Sequence, residues 1–202
     1  MTDRPARRTQ EQRRAETERR VLDAAMALIA RSGSRAVTLA EVGEAAGYSR
    51  GIVYHHFGSR ERLLEAVVDQ AQRFDIPGYQ GDGLDHLVRI IEAYLRNVVR
   101  RTPSARAFLQ LWGEAIAADP VLAPLFARRD ADFRQLLADV VRQGVADGSV
   151  RPDANPAAAA VLIVGLVRGT GLQLIAEPPV RDVPALIQEA ARSVRGAFAV
   201  TP

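Results

Sequence analysis

The chain has 202 residues, nearly half of them apolar, so it can bury a sizeable core, and its composition excludes generic disorder. It has no cysteine, which excludes disulfides, thiolate metal sites and cysteine nucleophiles and suits a reducing cytosol. The net charge of +3 sits in the first third: residues 1–73 hold 13 Arg against 10 acidic residues, while residues 74–202 hold 14 against 14. A basic head on a neutral body is what an electrostatic nucleic-acid footprint requires.

In chain order the pattern is helix after helix, with almost no strand-like alternation. Met1 to Gln10 is polar and basic and lacks the apolar segment of a signal peptide. A first apolar stripe (Val21, Leu22, Ala25, Leu28, Ile29) ends at Ser32-Gly33-Ser34. Thr38-Leu39-Ala40-Glu41 reads as a capping box that opens a short second helix, stopped where Gly47 can turn the chain. Ser49 caps a third short helix to about Phe57, and a fourth runs from Arg60 to about Phe74.

A Pro/Gly-rich stretch from Asp75 to Gly83 is the best boundary. A helical stripe from Leu84 to Val98 follows it. Thr102-Pro103, Asp119-Pro120 and Asn155-Pro156 read as three cap-then-Pro starts, opening helices near 104–118, 121–147 and 157–176. Asp182 begins the last helix, through Phe198. The expectation is an all-α chain of about nine helices. A basic, flexible arm (1–14) leads into a helix-turn-helix domain (15–74), and a helical ligand-binding and dimerisation domain (83–202) completes the chain.

The segment Thr38–Phe57 carries the functional signal: a short capped helix, a tight turn, then a second short helix. In a helix-turn-helix the second helix enters the major groove and reads base edges. Here it would be Ser49-Arg50-Gly51-Ile52-Val53-Tyr54-His55-His56. Arg50 can donate two hydrogen bonds to guanine, Gly51 lets the backbone come close, and Tyr54 and His55 can donate to phosphates. Thr38 and Arg60, near helix N-termini, are further phosphate donors. The Arg-rich arm could reach a minor groove or remain a solvated tail.

The run from Thr38 to Glu61, with Ala46-Gly47-Tyr48-Ser49-Arg50-Gly51 and then Tyr54-His55-His56-Phe57 and Ser59-Arg60-Glu61, resembles the DNA-binding head of the TetR family of bacterial regulators. Trp112-Gly113-Glu114-Ala115, Asp119-Pro120 and Gly148–Pro152 resemble body segments of many members. Ile52 stands where a Ser or Thr often contacts DNA, and Tyr48 replaces a smaller turn residue; both bear on which operator is read. The resemblance implies a cytoplasmic homodimer joined through its last two helices. It implies a palindromic double-stranded DNA operator read by one head per half-site, and release by a small effector entering the body. It needs no cofactor.

In the body, Tyr94, Phe108, Trp112, Phe126 and Phe133 recur at helical spacing, as core or as pocket wall, with Trp112 and Phe108 the leading wall candidates. Arg168 and Gln173 interrupt an apolar helix and face either a pocket or a dimer partner. Residues 157–176 match the length of a membrane span, but Arg168 at the centre and the Ala/Gly content favour a buried dimer-interface helix. Adjacent His55 and His56 point in different directions and do not make a metal pair. No phosphate-binding loop, nucleophile elbow or ligand-spaced cluster supports an enzyme. The expected function is an effector-released repressor. The alternatives are a small-molecule-binding protein without useful DNA binding, and an activator of the same architecture.

Overall fold

The computed structural model describes residues 9–71, 79–100 and 102–200. Nine α-helices occur among them: α1 (Gln10–Ser32), α2 (Leu39–Ala46), α3 (Arg50–Phe57), α4 (Arg60–Ala71), α5 (Gly83–Val99), α6 (Pro103–Ile116), α7 (Leu122–Asp147), α8 (Pro156–Ile175) and α9 (Val183–Phe198). The all-α expectation holds. The first arm residues, 1–8, and the start of the expected linker, 75–78, lie outside the described residues. The last turn expected of α4 lies there too.

Helix α1 starts earlier than its apolar stripe, at Gln10, because Thr9 and Gln12 form a reciprocal capping box. Its buried stripe (Val21, Leu22, Ala25, Met26, Ile29) packs on α2 and α4 within the head and on α6 of the body. Gly33, with φ of 75°, ends it, and its N–H closes on the Ile29 carbonyl at 2.8 Å. In the body, α5 buries Leu84, Leu87, Ile91, Tyr94 and Leu95 and is flanked by α7, α8 and α9. The close crossing of α5 on α7 depends on glycine. A Cβ on Gly83 would run into the Gly144 backbone and come within 2.9 Å of the Val140 carbonyl.

Two of the three expected cap-then-Pro starts appear as drawn: Thr102 and Asn155 cap α6 and α8 with Pro103 and Pro156 behind them. The third is displaced. Pro120 and Val121 form a turn before α7 begins, and Asp119 Oδ1 accepts from both Val121 N at 3.0 Å and Leu122 N at 3.1 Å. The apolar helix α8 is long enough to cross a membrane, yet one side of it packs against α5 and α7. Its C-terminal neighbour α9 is tied back by an isolated bridge between Val150 and Ala199 and by Arg151 N–H donating to the Phe198 carbonyl at 2.8 Å.

Candidate DNA-reading surface and body cavity

Helix α3, the candidate reading helix, is positioned from its ends. Thr38 Oγ1 accepts from Glu41 N at 3.2 Å, and the Glu41 carboxylate accepts from Thr38 N–H at 2.9 Å, closing the box that starts α2. The Thr38 N–H and then the Thr38 hydroxyl, both donating to the Glu41 carboxylate, hold its pKa below the usual value. Gly47 takes the left-handed conformation (φ 77°, ψ 31°) that turns the chain toward α3. Gly43 permits the close approach of α2 to the start of α3, since a Cβ there would sit 2.9 Å from the Tyr48 carbonyl. The enlarged turn residue Tyr48 is anchored on α1: Arg20 lies 5.1 Å over its ring, and the Thr17 hydroxyl donates to its oxygen at 3.3 Å.

Ser49 then caps α3 by accepting from Ile52 N. Val53 and Phe57 are buried beneath the helix, while Arg50, Gly51, Ile52, Tyr54 and His55 are exposed, Tyr54 to 60%. The structure therefore brings five sequence-selected residues together on one capped helix: Ser49, Arg50, Gly51, Tyr54 and His55. His56 is half-buried with its ring edge-on to His55; burial, then nearby Arg14, depresses its pKa. Among the described residues no cluster of His, Cys or acidic side chains could hold a metal.

Arg60 is placed differently from the expectation. Its guanidinium turns into the head, with Nε donating to the Val37 carbonyl at 3.0 Å and an Nη donating to the Ser34 carbonyl. The α1–α2 loop presents those carbonyls toward α4, so the side chain clamps the loop where a phosphate donor was expected. Thr38, also selected as a phosphate donor, has its hydroxyl in the capping box, where it donates to Glu41 Oε2 at 2.9 Å.

The body holds a cavity of about 210 Å³ lined by Ala71, Tyr94, Asn97, Val98, Ala105, Phe108, Arg129, Asp132, Phe133 and Arg168. Four of the six sequence-selected residues are in its wall: Tyr94, Phe108, Phe133 and Arg168. Tyr94 and Phe133 lie stacked, 6.4 Å apart and 18° from parallel. Burial pushes the Tyr94 phenol up to about 12, and the neighbouring Arg168 offsets only part of that rise.

The other two selected residues stand behind the wall. Phe126 is 3% exposed and packs on Phe108 with ring centroids 5.5 Å apart, so it is core. Trp112 backs Arg168, whose guanidinium carbon lies 4.9 Å from the Trp112 ring and 5.9 Å from that of Phe108. Arg168 is only 4% exposed, and both its Nη groups donate to the Asp130 carboxylate, one at 2.6 Å. That bidentate fork is the geometry guanidinium and carboxylate form best. Asn97, Arg129 and Asp132 were missed in the sequence. Asn97 and Arg129 are half-buried and Asp132 is exposed, and on a helix such polar positions read as ordinary solvated surface.

Head and body meet through polar contacts as well as packing. Ser34, 1% exposed, donates its N–H to Glu114 Oε1 at 3.0 Å and its hydroxyl to Glu114 Oε2. Arg129 of α7 pairs with Asp69 of α4.

Comparison with known proteins assigns both halves. Residues 21–67 match the family of bacterial regulatory proteins called the tetR family, and residues 84–199 match the C-terminal domain of BetI-type transcriptional repressors. The chain is 31% identical over 160 residues to the HTH-type transcriptional repressor KstR2 of Rhodococcus jostii, covering 76% of each chain. A TetR-family regulator structure from Rhodococcus sp. is similar at a TM-score of 0.72 and 27% identity, with 91% of this chain and 96% of that one covered. A regulator from Saccharomonospora viridis, solved with choline, has the same fold at a TM-score of 0.72 and 22% identity, with 93% and 100% covered. The capped reading helix, the helical body and these matches together place the chain in the TetR family of DNA-binding transcriptional regulators.

Proposed function

We propose that the protein is a cytoplasmic homodimeric repressor that binds a palindromic operator through α3 of each protomer and is released by a small apolar or amphipathic effector held in the body cavity. The observation that carries the reading is the pairing of an outward, basic α3 with a partly open cavity in a body joined to the head. Arg50 is the base reader, donating to a guanine edge in the major groove. Tyr54 and His55, exposed on the same helix, and Ser49 at its N-terminus hold the phosphate backbone. Thr38 and Arg60 support this surface by fixing the start of α2 and the loop before it.

The partner face lies on α8 and α9. Val161, Leu162 and Leu172 are exposed there at 56%, 68% and 38%, an unusual display for large apolar side chains. Gly165 and Gly169 open onto empty space, as does Gly196 on α9, leaving room for a facing helix to approach. The choline-bound relative raises a cation as a possible effector class. In this chain the aromatic faces of Trp112 and Phe108 already carry Arg168, so the effector is not a quaternary ammonium.

The test is binding of the purified protein to the DNA upstream of its own gene, by footprinting with a salt titration. A protected palindrome, with affinity falling steeply as salt rises, supports the reading. Weak binding, equal on random DNA, overturns it in favour of a small-molecule-binding protein that does not act at an operator.

A further inference from the structure

The cavity has a defined chemical bias. Arg168 presents three kinds of N–H, of which the two Nη groups are held by Asp130. Its Nε is buried and makes no hydrogen bond of ordinary geometry among the described residues, although the Tyr94 hydroxyl interacts with the same guanidinium. A buried donor without an acceptor costs free energy, so a ligand that supplies the acceptor gains what one lacking it forfeits. The wall also carries Tyr94, Val98, Phe108 and Phe133, with the Asn97 amide as its neutral polar side chain and Arg129 and Asp132 as further charged ones.

Charge decides which acceptor fits. Two guanidiniums, Arg129 and Arg168, line the space, and each is already ion-paired, with Asp69 and Asp130 respectively. Asp132 places a carboxylate in the wall itself, with those of Asp69 and Asp130 behind it. A carboxylate ligand would enter a site whose cations are neutralised and whose surplus charge is negative. A cationic ligand would meet Arg168 itself over the rings of Trp112 and Phe108. A neutral molecule with one carbonyl oxygen avoids both conflicts. The volume sets the size: an apolar cavity of about 150 Å³ holds a benzene ring, so about 210 Å³ takes a ring with a short substituent.

We propose that the effector is a neutral molecule with a compact apolar body and a carbonyl-type acceptor directed at Arg168 Nε–H. The proposal rests on the reading of this cavity as the effector site. A set of near-isosteric probes separates the two ideas: acetophenone (carbonyl), cumene (no acceptor), benzoate (anion) and phenyltrimethylammonium (cation), each titrated calorimetrically into the full-length protein.

The expected result is that acetophenone binds about ten-fold tighter than cumene, with benzoate and the ammonium weaker still. In Arg168→Lys, which keeps a cation for Asp130 and removes the Nε–H donor, acetophenone should fall to the level of cumene while cumene is unchanged. If that variant is unstable, the double substitution Asp130→Leu with Arg168→Met, which removes the donor without leaving a charge unpaired, should likewise bring acetophenone to the level of cumene. Equal binding of acetophenone and cumene to the wild type overturns the acceptor assignment and leaves the cavity as a binding site. Preference for benzoate or the ammonium overturns the charge argument. If none of the four binds, the effector-site reading falls, and the proposal with it.

Discussion

Glu114 on α6 holds Ser34, eighty positions earlier in the chain, by both its backbone N–H and its hydroxyl. Ser34 lies in the loop that leads to α2, and its carbonyl accepts from Arg60 of α4. Two residues before Glu114, Trp112 carries the guanidinium of Arg168 on its ring. One helix thus touches the cavity's buried cation and the loop ahead of the reading helices. A ligand can shift the head only by interacting differently with two arrangements of such an element.

Replacing Glu114 by Ala removes the acceptors for a buried serine, and a cost of about 1.5–3 kcal/mol is expected for hydrogen bonds to a charged group. Urea unfolding measures that loss. The more informative readout is coupling: the ratio of effector affinities with and without operator DNA should move toward one. A variant that is destabilised yet fully coupled would show that the signal takes another path.

Arg50→Ala should weaken operator binding by about 1–3 kcal/mol and relax the preference at one base pair of each half-site. Tyr54→Phe should weaken binding to all sequences alike, because a lost phosphate contact carries no base information. Competition binding against a panel of single-base operator variants distinguishes the two patterns. Unchanged discrimination in the Arg50 variant would remove it from the role of base reader.

Asp130→Ala would strand the Arg168 guanidinium in a site where it is 96% enclosed, since only 4% is exposed. Removing one partner of a buried pair costs about 3–5 kcal/mol, far more than the pair itself contributes. Thermal unfolding should show a drop of several degrees or more. The double substitution Asp130→Leu with Arg168→Met should restore most of that loss, because neither charge is then left behind.

Acid sensitivity should include a term from Asp85. The hydrogen bond from Arg195 of α9, then that from Tyr79, holds its carboxyl below the ordinary aspartate value. A depressed folded-state pKa adds stability above the unfolded value and loses it as pH falls through the folded one, so the loss appears below about pH 4. Both partners are substantially exposed, and solvent screening keeps the contribution under about 1 kcal/mol. The melting temperatures of the wild type and Asp85→Asn should differ at pH 6 and converge toward pH 3.

Local features were legible in the sequence because their partners lie within a turn. Thr38 with Glu41, Gly47 and the Ser49 cap appear where the residue types indicate, and they position the proposed reading surface. Features made by distant segments were not. Glu114 reads as one more acid on a helix until folding brings Ser34 to it. Arg60 has the composition of a phosphate donor, and only the placement of the Ser34 and Val37 carbonyls turns it inward. Phe126 and Phe133 are two turns apart on α7 and look equivalent by spacing. Depth in the bundle separates them: Phe126 meets Phe108 in the core, and Phe133 meets Tyr94 at the cavity.

Arg168 and Gly169 are consecutive on α8, yet one is almost fully enclosed and the other has open space above its Cα. In the proposed dimer a single helix would therefore form the cavity wall on one side and the face offered to a second protomer on the other. Any tilt that makes room for a molecule beside Arg168 would then also tilt the seam of that dimer, and the partner would have to accommodate it with its own α8. Occupancy of one site should then alter the affinity of the other, and equilibrium titration of the dimer should give a Hill coefficient different from one. The same titration should become non-cooperative when a bulky residue such as Trp at Gly169 pries the seam apart.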